Sequence, residues 1–367
     1  MKSAAPHIMV IGASGVFGSR LVQMMQKESG WRVTLAGRRT APLLQLATGQ
    51  GGYAVRQIDR DCIDADDLTG VDMVIDAAGP FQNSKTRVIA AALGARCHYV
   101  DLADGRDFVA AIGRFDAAAK AAGIAVITGA SSVPALSHAV VDDLIAGWRQ
   151  VERIKIGIYP GNRAPRGRAV VEAILSYSGK PVRVFREGAW QMQPGWGMLH
   201  RADIAGIGKR WASICETPDQ DLLVARYAPT RSAEFFAGLE LSLLHLGLWG
   251  LSLPVRWKII PTLRPAAGVM LWLAQRFLCF GSDKGAMDVQ VTGIDGAGQA
   301  VQRRWTLTAD ANHGPYTPTL AALALARRLR DGGFGFSGAM ACAGLLHLSE
   351  FERDFDALGM ARRYDGS

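Results

Sequence analysis

The sequence predicts an α/β protein: a doubly wound parallel sheet over the first third of the chain, then an α+β domain built on a mainly antiparallel sheet. Three observations carry this prediction. The stretch Ile8-Met9-Val10-Ile11-Gly12-Ala13-Ser14-Gly15-Val16-Phe17-Gly18-Ser19-Arg20-Leu21 joins an apolar strand to a helix through a glycine-rich turn. Apolar strand runs then alternate with helical patterns as far as Gly129. From about Val151 that alternation stops, and strands separated by longer helical or irregular stretches take over.

The first turn is the element on which the rest is organised. Gly12, Gly15 and Gly18 are spaced by three between a buried strand and the amphipathic positions Val16, Phe17, Leu21, Met24 and Met25. Glycine has no Cβ to hold a ligand away, and a helix N-terminus carries partial positive charge, so Gly12, Ala13, Ser14, Gly15, Val16 and Phe17 read as a pyrophosphate cradle. The spacing departs from the commoner Gly-x-Gly-x-x-Gly, and its position after the first strand gives it weight.

Trp31 to Arg39 reads as the second strand. In an NAD-selecting fold this strand ends in an acid about 20 residues past the glycines. Here it ends in Arg38 and Arg39, which would bind a ribose 2′-phosphate that a carboxylate would repel. The expected cofactor is therefore NADP(H). Tyr53 to Asp59 makes a third strand, with Asp59 placed either to meet the adenine amino group or to cap the next helix. Val71 to Phe81 makes the fourth, and its small terminal residues Ala78, Gly79 and Pro80 leave room for the cofactor ribose and nicotinamide. A helix at Thr86 to Leu93, a strand at His98 to Leu102, a helix at Asp107 to Ala122 and a strand at Ile124 to Gly129 complete six βα steps of a Rossmann sheet.

These segments resemble the saccharopine dehydrogenase/reductase-like NADP-binding oxidoreductases. The likeness lies in the glycine turn, Ala36-Gly37-Arg38-Arg39, Ile75 to Phe81, His98 to Asp101 and Gly129-Ala130-Ser131-Ser132-Val133-Pro134, with a weaker echo at Gly314-Pro315-Tyr316-Thr317-Pro318. It implies a Rossmann domain followed by a domain whose antiparallel sheet covers the nicotinamide and can mediate dimerisation. It also implies oxidation or reduction of a C–N bond, or, in a lipid-related branch, of an enoyl double bond. Many members carry an acid where this chain has Ser131-Ser132-Val133. The expected domains are 1–130, 131–310 and a helical tail 311–367, at least one helix of which packs back on the Rossmann domain.

In the second half, Glu152 to Tyr159, Pro181 to Gln191, Ala286 to Ile294 and Val301 to Thr308 are the expected strands. Arg168 to Tyr177, Thr317 to Arg330 and Ser349 to Leu358 are expected helices. The leucine- and tryptophan-rich stretch 234–280 is interrupted by Glu240 and His245 and closed by Pro254 and Arg256, so it is no spanning helix. Core, dimer interface, lipid contact and the wall of a hydrophobic substrate site all remain open for it.

Composition bounds the rest. The 367 residues are 49% hydrophobic and 20% charged, as in folded proteins. Cys62, Cys97, Cys215, Cys279 and Cys342 form no Cys-x-x-Cys pair, which argues against a disulfide framework and a zinc site, and no metal is expected. With the first strand so near Met1, a cytoplasmic protein is expected. The net charge of +8 comes without a nucleic-acid-binding signature, and no nucleic-acid partner is expected.

Neither Gly-x-Ser-x-Gly nor His-Glu-x-x-His occurs, and Tyr177-Ser178-Gly179-Lys180 is one residue short of a Tyr-x-x-x-Lys pair. The remaining proton donors are Tyr99, Asp101, Asp104 and His138. Asp101 could equally bond backbone, Asp104 could cap a helix, and His138 could be structural. Arg163, Arg166 and Lys180 are candidates to hold a substrate carboxylate. The reading is an NADP(H)-dependent oxidoreductase, expected as a homodimer, moving a hydride to or from an imine or activated double bond between its domains. Its rival is a cofactor-binding scaffold or sensor without chemistry.

Overall fold

The computed structural model describes residues 5–48, 52–82, 84–165 and 167–366. In chain order the first stretch holds β1 (His7–Ile11), α1 (Val16–Met25), β2 (Arg32–Gly37), α2 (Thr40–Ala47), β3 (Ala54–Gln57), β4 (Met73–Asp76), α3 (Arg87–Ala95), β5 (His98–Asp101), α4 (Arg106–Ala110), α5 (Asp116–Ala122) and β6 (Ala125–Thr128). Next come α6 (Ser137–Leu144), β7 (Gln150–Tyr159), α7 (Arg168–Tyr177), β8 (Pro181–Arg186), β9 (Ala189–Pro194), β10 (His200–Ile204), β11 (Gly208–Ile214), α8 (Asp219–Tyr227), β12 (Ser232–Ala237), α9 (Ser242–Arg256), α10 (Ala267–Arg276), β13 (Gly285–Ile294) and β14 (Ala300–Ala309). The tail adds α11 (Thr317–Asp331), β15 (Gly338–Ala341), α12 (Ser349–Ala357) and β16 (Ala361–Gly366).

The chain divides into two compact units, one of Met1–Ala135 with Pro315–Leu346, the other of Leu136–Gly314 with His347–Ser367. The first unit holds a seven-stranded sheet in the order β15-β6-β5-β4-β1-β2-β3. Every pairing in it is parallel. A parallel sheet must be covered on both faces, and Ile8, Val10, Leu35, Ile75 and Val100 are accordingly fully buried. The strand order reverses between β1 and β4, so the loops that leave those two strands border the crevice where doubly wound folds bind ligands.

Helix α11 presents a continuous buried run from Leu320 to Ala326, and its Arg327 and Arg330 both bind Glu28 just beyond α1, at 2.5 and 3.0 Å. The tail, expected to be helical, also contributes the strand β15. Its Gly338-Ala339-Met340-Ala341 lacks β-branched residues, and pairing with β6 is what makes it a strand.

The second unit holds a nine-stranded sheet whose main path runs β10-β11-β12-β7-β13-β14-β16, with β8 pairing both β12 and β9. Only the β12–β7 pairing is parallel; the others are antiparallel. The single strand expected over Pro181 to Gln191 is a hairpin, because Glu187 and Gly188 both sit at positive φ in the connecting turn. The single helix expected over Asp107 to Ala122 is broken into α4, a 3₁₀ turn at Ala111–Phe115 and α5. Among the described residues no helix is long and apolar enough to cross a membrane.

Candidate functional site

The turn after β1 is shaped by close approach. Gly12 takes φ +74°, and a Cβ there would lie 2.9 Å from the backbone and Cβ of Ala78 in the loop after β4. At Gly18 a Cβ would come within 2.2 Å of the Gly12 carbonyl oxygen, so this glycine lets α1 lie directly on the turn. The Gly12 N–H donates to the Ala36 carbonyl at 2.9 Å and the Gly15 N–H to that of Gly12 at 2.8 Å. Gly15 is the N-cap of α1 and offers no capping side chain, and the first turn holds no acid. Helix N–H groups so left open suit an anion. Ser14 and Gly15 are exposed, Val16 and Phe17 are half-buried, and Ala13 is buried. The residues present therefore fit a dinucleotide pyrophosphate.

Beyond β2, Arg38 and Arg39 are both exposed, and neither side chain forms an ion pair or hydrogen bond within the described residues. Two uncommitted guanidinium groups at the end of this strand fit a 2′-phosphate. Asp59, also exposed, accepts a hydrogen bond from the Asp61 N–H at 3.1 Å, a local turn after β3.

Its neighbour Arg60 escaped the sequence reading, because nothing local marks its partners. The guanidinium donates to the carboxylate of Asp76 and the hydroxyl of Ser84, each at 2.7 Å, and to the Ala78 carbonyl. It also lies 5.0 Å from the centre of the Phe81 ring. Arg60 thus fixes the Ala78-Gly79-Pro80 loop that faces the glycine turn. Asp76 is fully buried, and desolvation pushes its pKa up to about 6 against the opposing pull of Arg60.

At the end of β5 the four candidate proton donors separate. Asp101 is fully buried and accepts four hydrogen bonds: from the Tyr99 hydroxyl (2.9 Å), the Ala103 N–H (2.9 Å), the Thr128 hydroxyl (2.9 Å) and the Gly129 N–H (2.8 Å). It pins the loops after β5 and β6 together, and Tyr99, itself buried, is one of the pins. Burial raises the pKa of both. These two residues position the edge of the sheet and are not presented to solvent.

Asp104 is exposed and accepts a hydrogen bond from the Gln82 amide at 3.2 Å. His138 lies in α6 of the second unit, fully buried, with Nε2 3.7 Å from Asp219 of α8. Burial takes the His138 pKa down to about 3 and that of Asp219 up to about 7. His138, expected as a candidate proton donor, is thus held away from solvent and short of a proton.

Of the carboxylate-binding candidates, Arg163 is exposed before α7 and Lys180 half-buried after it. Arg166 lies outside the described residues.

A glycine turn at a strand-order reversal, an open helix N-terminus and two free guanidinium groups define the class of nicotinamide dinucleotide-binding domains. Residues 8–127 match the family model described as "Saccharopine dehydrogenase NADP binding domain". Among solved structures, the apo saccharopine dehydrogenase (L-Glu forming) from Saccharomyces cerevisiae is 13% identical, with a TM-score of 0.69 over 99% of this chain and 100% of that one. At that identity the likeness is one of fold. The WlbA (WbpB) dehydrogenase from Thermus thermophilus, solved with NAD and UDP-GlcNAcA, is 13% identical over 90% of each chain with a TM-score of 0.43. A search of curated proteins by sequence finds no match. The family model and the fold are both those of NAD(P)-dependent oxidoreductases, and the cofactor of the first unit is a nicotinamide dinucleotide.

Proposed function

We propose that the protein is an NADP(H)-dependent oxidoreductase that transfers a hydride to or from a C=N or an activated C=C bond. The observation that supports this reading best is the pair of exposed, unpaired guanidinium groups of Arg38 and Arg39 at the end of β2, where NAD-selecting folds carry an acid. When bound, the reduced cofactor supplies the hydride.

The chain's own residues do the remaining work. The N–H groups at the start of α1 hold the pyrophosphate, Arg38 and Arg39 take the 2′-phosphate, and Arg60 and Asp76 keep the Ala78-Gly79-Pro80 loop in place. Asp101 holds the β5 and β6 loops rigid through its four donors. Asp104 carries the proton at its carboxyl oxygen: of the candidate donors it is the exposed one, with the Gln82 amide donating to it. One observation favours a cofactor-binding protein without turnover, namely that Tyr99, Asp101 and His138 are all buried.

Titration of the purified protein with NADPH and NADH tests the reading. Losing one charge-assisted contact to phosphate in Arg38→Ala is expected to weaken NADPH about ten- to a hundredfold and leave NADH unchanged. Equal affinity of the parent protein for both cofactors would remove the NADP(H) assignment. Oxidation of NADPH by a panel of imines and enoyl thioesters then separates enzyme from scaffold, since saturable binding without turnover on any of them would support the scaffold.

A further inference from the structure

The stretch from Leu241 to Phe280 contains no Asp or Glu, but it does contain Arg256, Lys258, Arg264 and Arg276. It is also where most of the large apolar side chains exposed by this chain are found. Leu243 is 67% exposed, Trp257 64%, Ile259 69%, Val269 64%, Trp272 53% and Phe280 58%. A surface helix of a water-soluble protein turns its apolar stripe inward. Helix α10 does the reverse. Val269, Trp272, Leu273 and Arg276 recur at helical spacing on its exposed side, and only Ala267 of the whole helix is buried. On α9 the buried positions are His245, Leu248, Ser252 and Val255, while Leu243 and Leu251 point to solvent. From Arg256, the last residue of α9, to Ile260 the chain is exposed throughout and alternates cations with Trp257, Ile259 and Ile260.

We propose that α9, α10 and their connection form a docking surface for an anionic lipid membrane. Charge and chemistry select this occupant. A run of 40 residues with four cations and no anion is complementary to negatively charged headgroups, and it would repel the same run on a second copy of the chain. Trp257 and Trp272 are amphipathic rings of the kind that settle at the headgroup level, and the Arg276 guanidinium stacks 5.0 Å over the Trp272 ring, so cation and anchor reach the same depth. Arg256, Lys258 and Arg276 form no ion pair among the described residues, which leaves their charge available to a surface. The contact is one made from the surface, with side chains inserted at the headgroup level.

Flotation of the full chain with phosphatidylcholine vesicles, with and without phosphatidylglycerol, tests this directly. The protein is expected to float with the phosphatidylglycerol vesicles at low salt and to be released as salt rises. Arg256→Gln with Lys258→Gln should lower the partition coefficient roughly 10- to 30-fold, at about fivefold per cation. Trp272→Glu should abolish flotation, with an unchanged thermal melt showing that the variant still folds. If Trp272→Glu misfolds, the charge-only double variant decides alone. A protein that stays in solution with phosphatidylglycerol vesicles overturns the proposal. So does equal binding to both vesicle types, or a homodimer in solution that Trp272→Glu dissociates while the parent ignores vesicles.

Discussion

Asp101 and Asp219 are both fully buried carboxyl groups at the ends of secondary-structure elements, one in each unit of the chain. Asp101 gathers four hydrogen-bond donors on its two oxygens. Neither oxygen of Asp219 accepts a hydrogen bond among the described residues; the Ser137 side chain offers a slight opposing pull, and the uncharged imidazole of His138 lies 3.7 Å away. Burial pushes both pKa values up, but the donors around Asp101 pull back while those around Asp219 scarcely do. The difference teaches that depth alone does not decide what a buried acid is for. A fully satisfied one ties loops together, and a poorly satisfied one keeps its proton and makes stability depend on pH.

The largest effect expected from this contrast is that of Asp101→Ala. It strands four buried donors at once and should cost about 3–5 kcal/mol in urea-induced unfolding. If the cost were below about 1 kcal/mol, typical of an exposed site, the loops after β5 and β6 would be held by something else.

A smaller effect of opposite sign is expected at Asp219. Its folded pKa of about 7 lies above the unfolded value near ~4, so the stability it contributes is full below about pH 4 and is lost as pH rises towards 7. Asp219→Asn cannot ionise. Relative to the parent it should therefore gain roughly 1–3 kcal/mol between pH 4 and pH 8, measured by melting at each pH. A gain in the other direction would mean that Asp219 is ionised and paired with a protonated His138. The smallest effect belongs to Tyr99→Phe, which removes one of the four donors to Asp101 and should cost about 1–2 kcal/mol. A loss as large as that of Asp101→Ala would make the tyrosine, and not the carboxylate, the centre of the network.

What could be read from the sequence followed from locality. The strands of the first sheet, up to β6, come mostly as consecutive βα steps marked by apolar runs, the exception being β3, half polar and joined to β4 through a 3₁₀ turn, and the glycine turn carries its meaning within seven residues, Gly12 to Gly18. The end of β2 was legible for the same reason, since Arg38 and Arg39 sit directly after the strand. Partners distant in sequence were not legible. Arg60 acquires its role only when β3 and β4 deliver Asp76 and Ala78 beside it, and His138 meets Asp219 only when α6 and α8 pack. Strands β10, β11, β12 and β16 were missed because their pairing, more than their alternation, defines them. Asp101 could be seen as a residue with two possible uses, but the four donors that gather on it come from three segments and could not be seen.

The tail of the chain has a consequence for synthesis. Strand β15 borders β6 at one side of the first sheet, and β16 borders β14 at the end of the second. A ribosome therefore releases the last strand of the first sheet only after nearly all of the second unit has been made. Until then β6 waits with an unpaired edge, the kind of edge that recruits other chains. Any truncated product ending near residue 314 would keep both sheets unfinished, so proteolytic dissection at a single bond can liberate neither half intact.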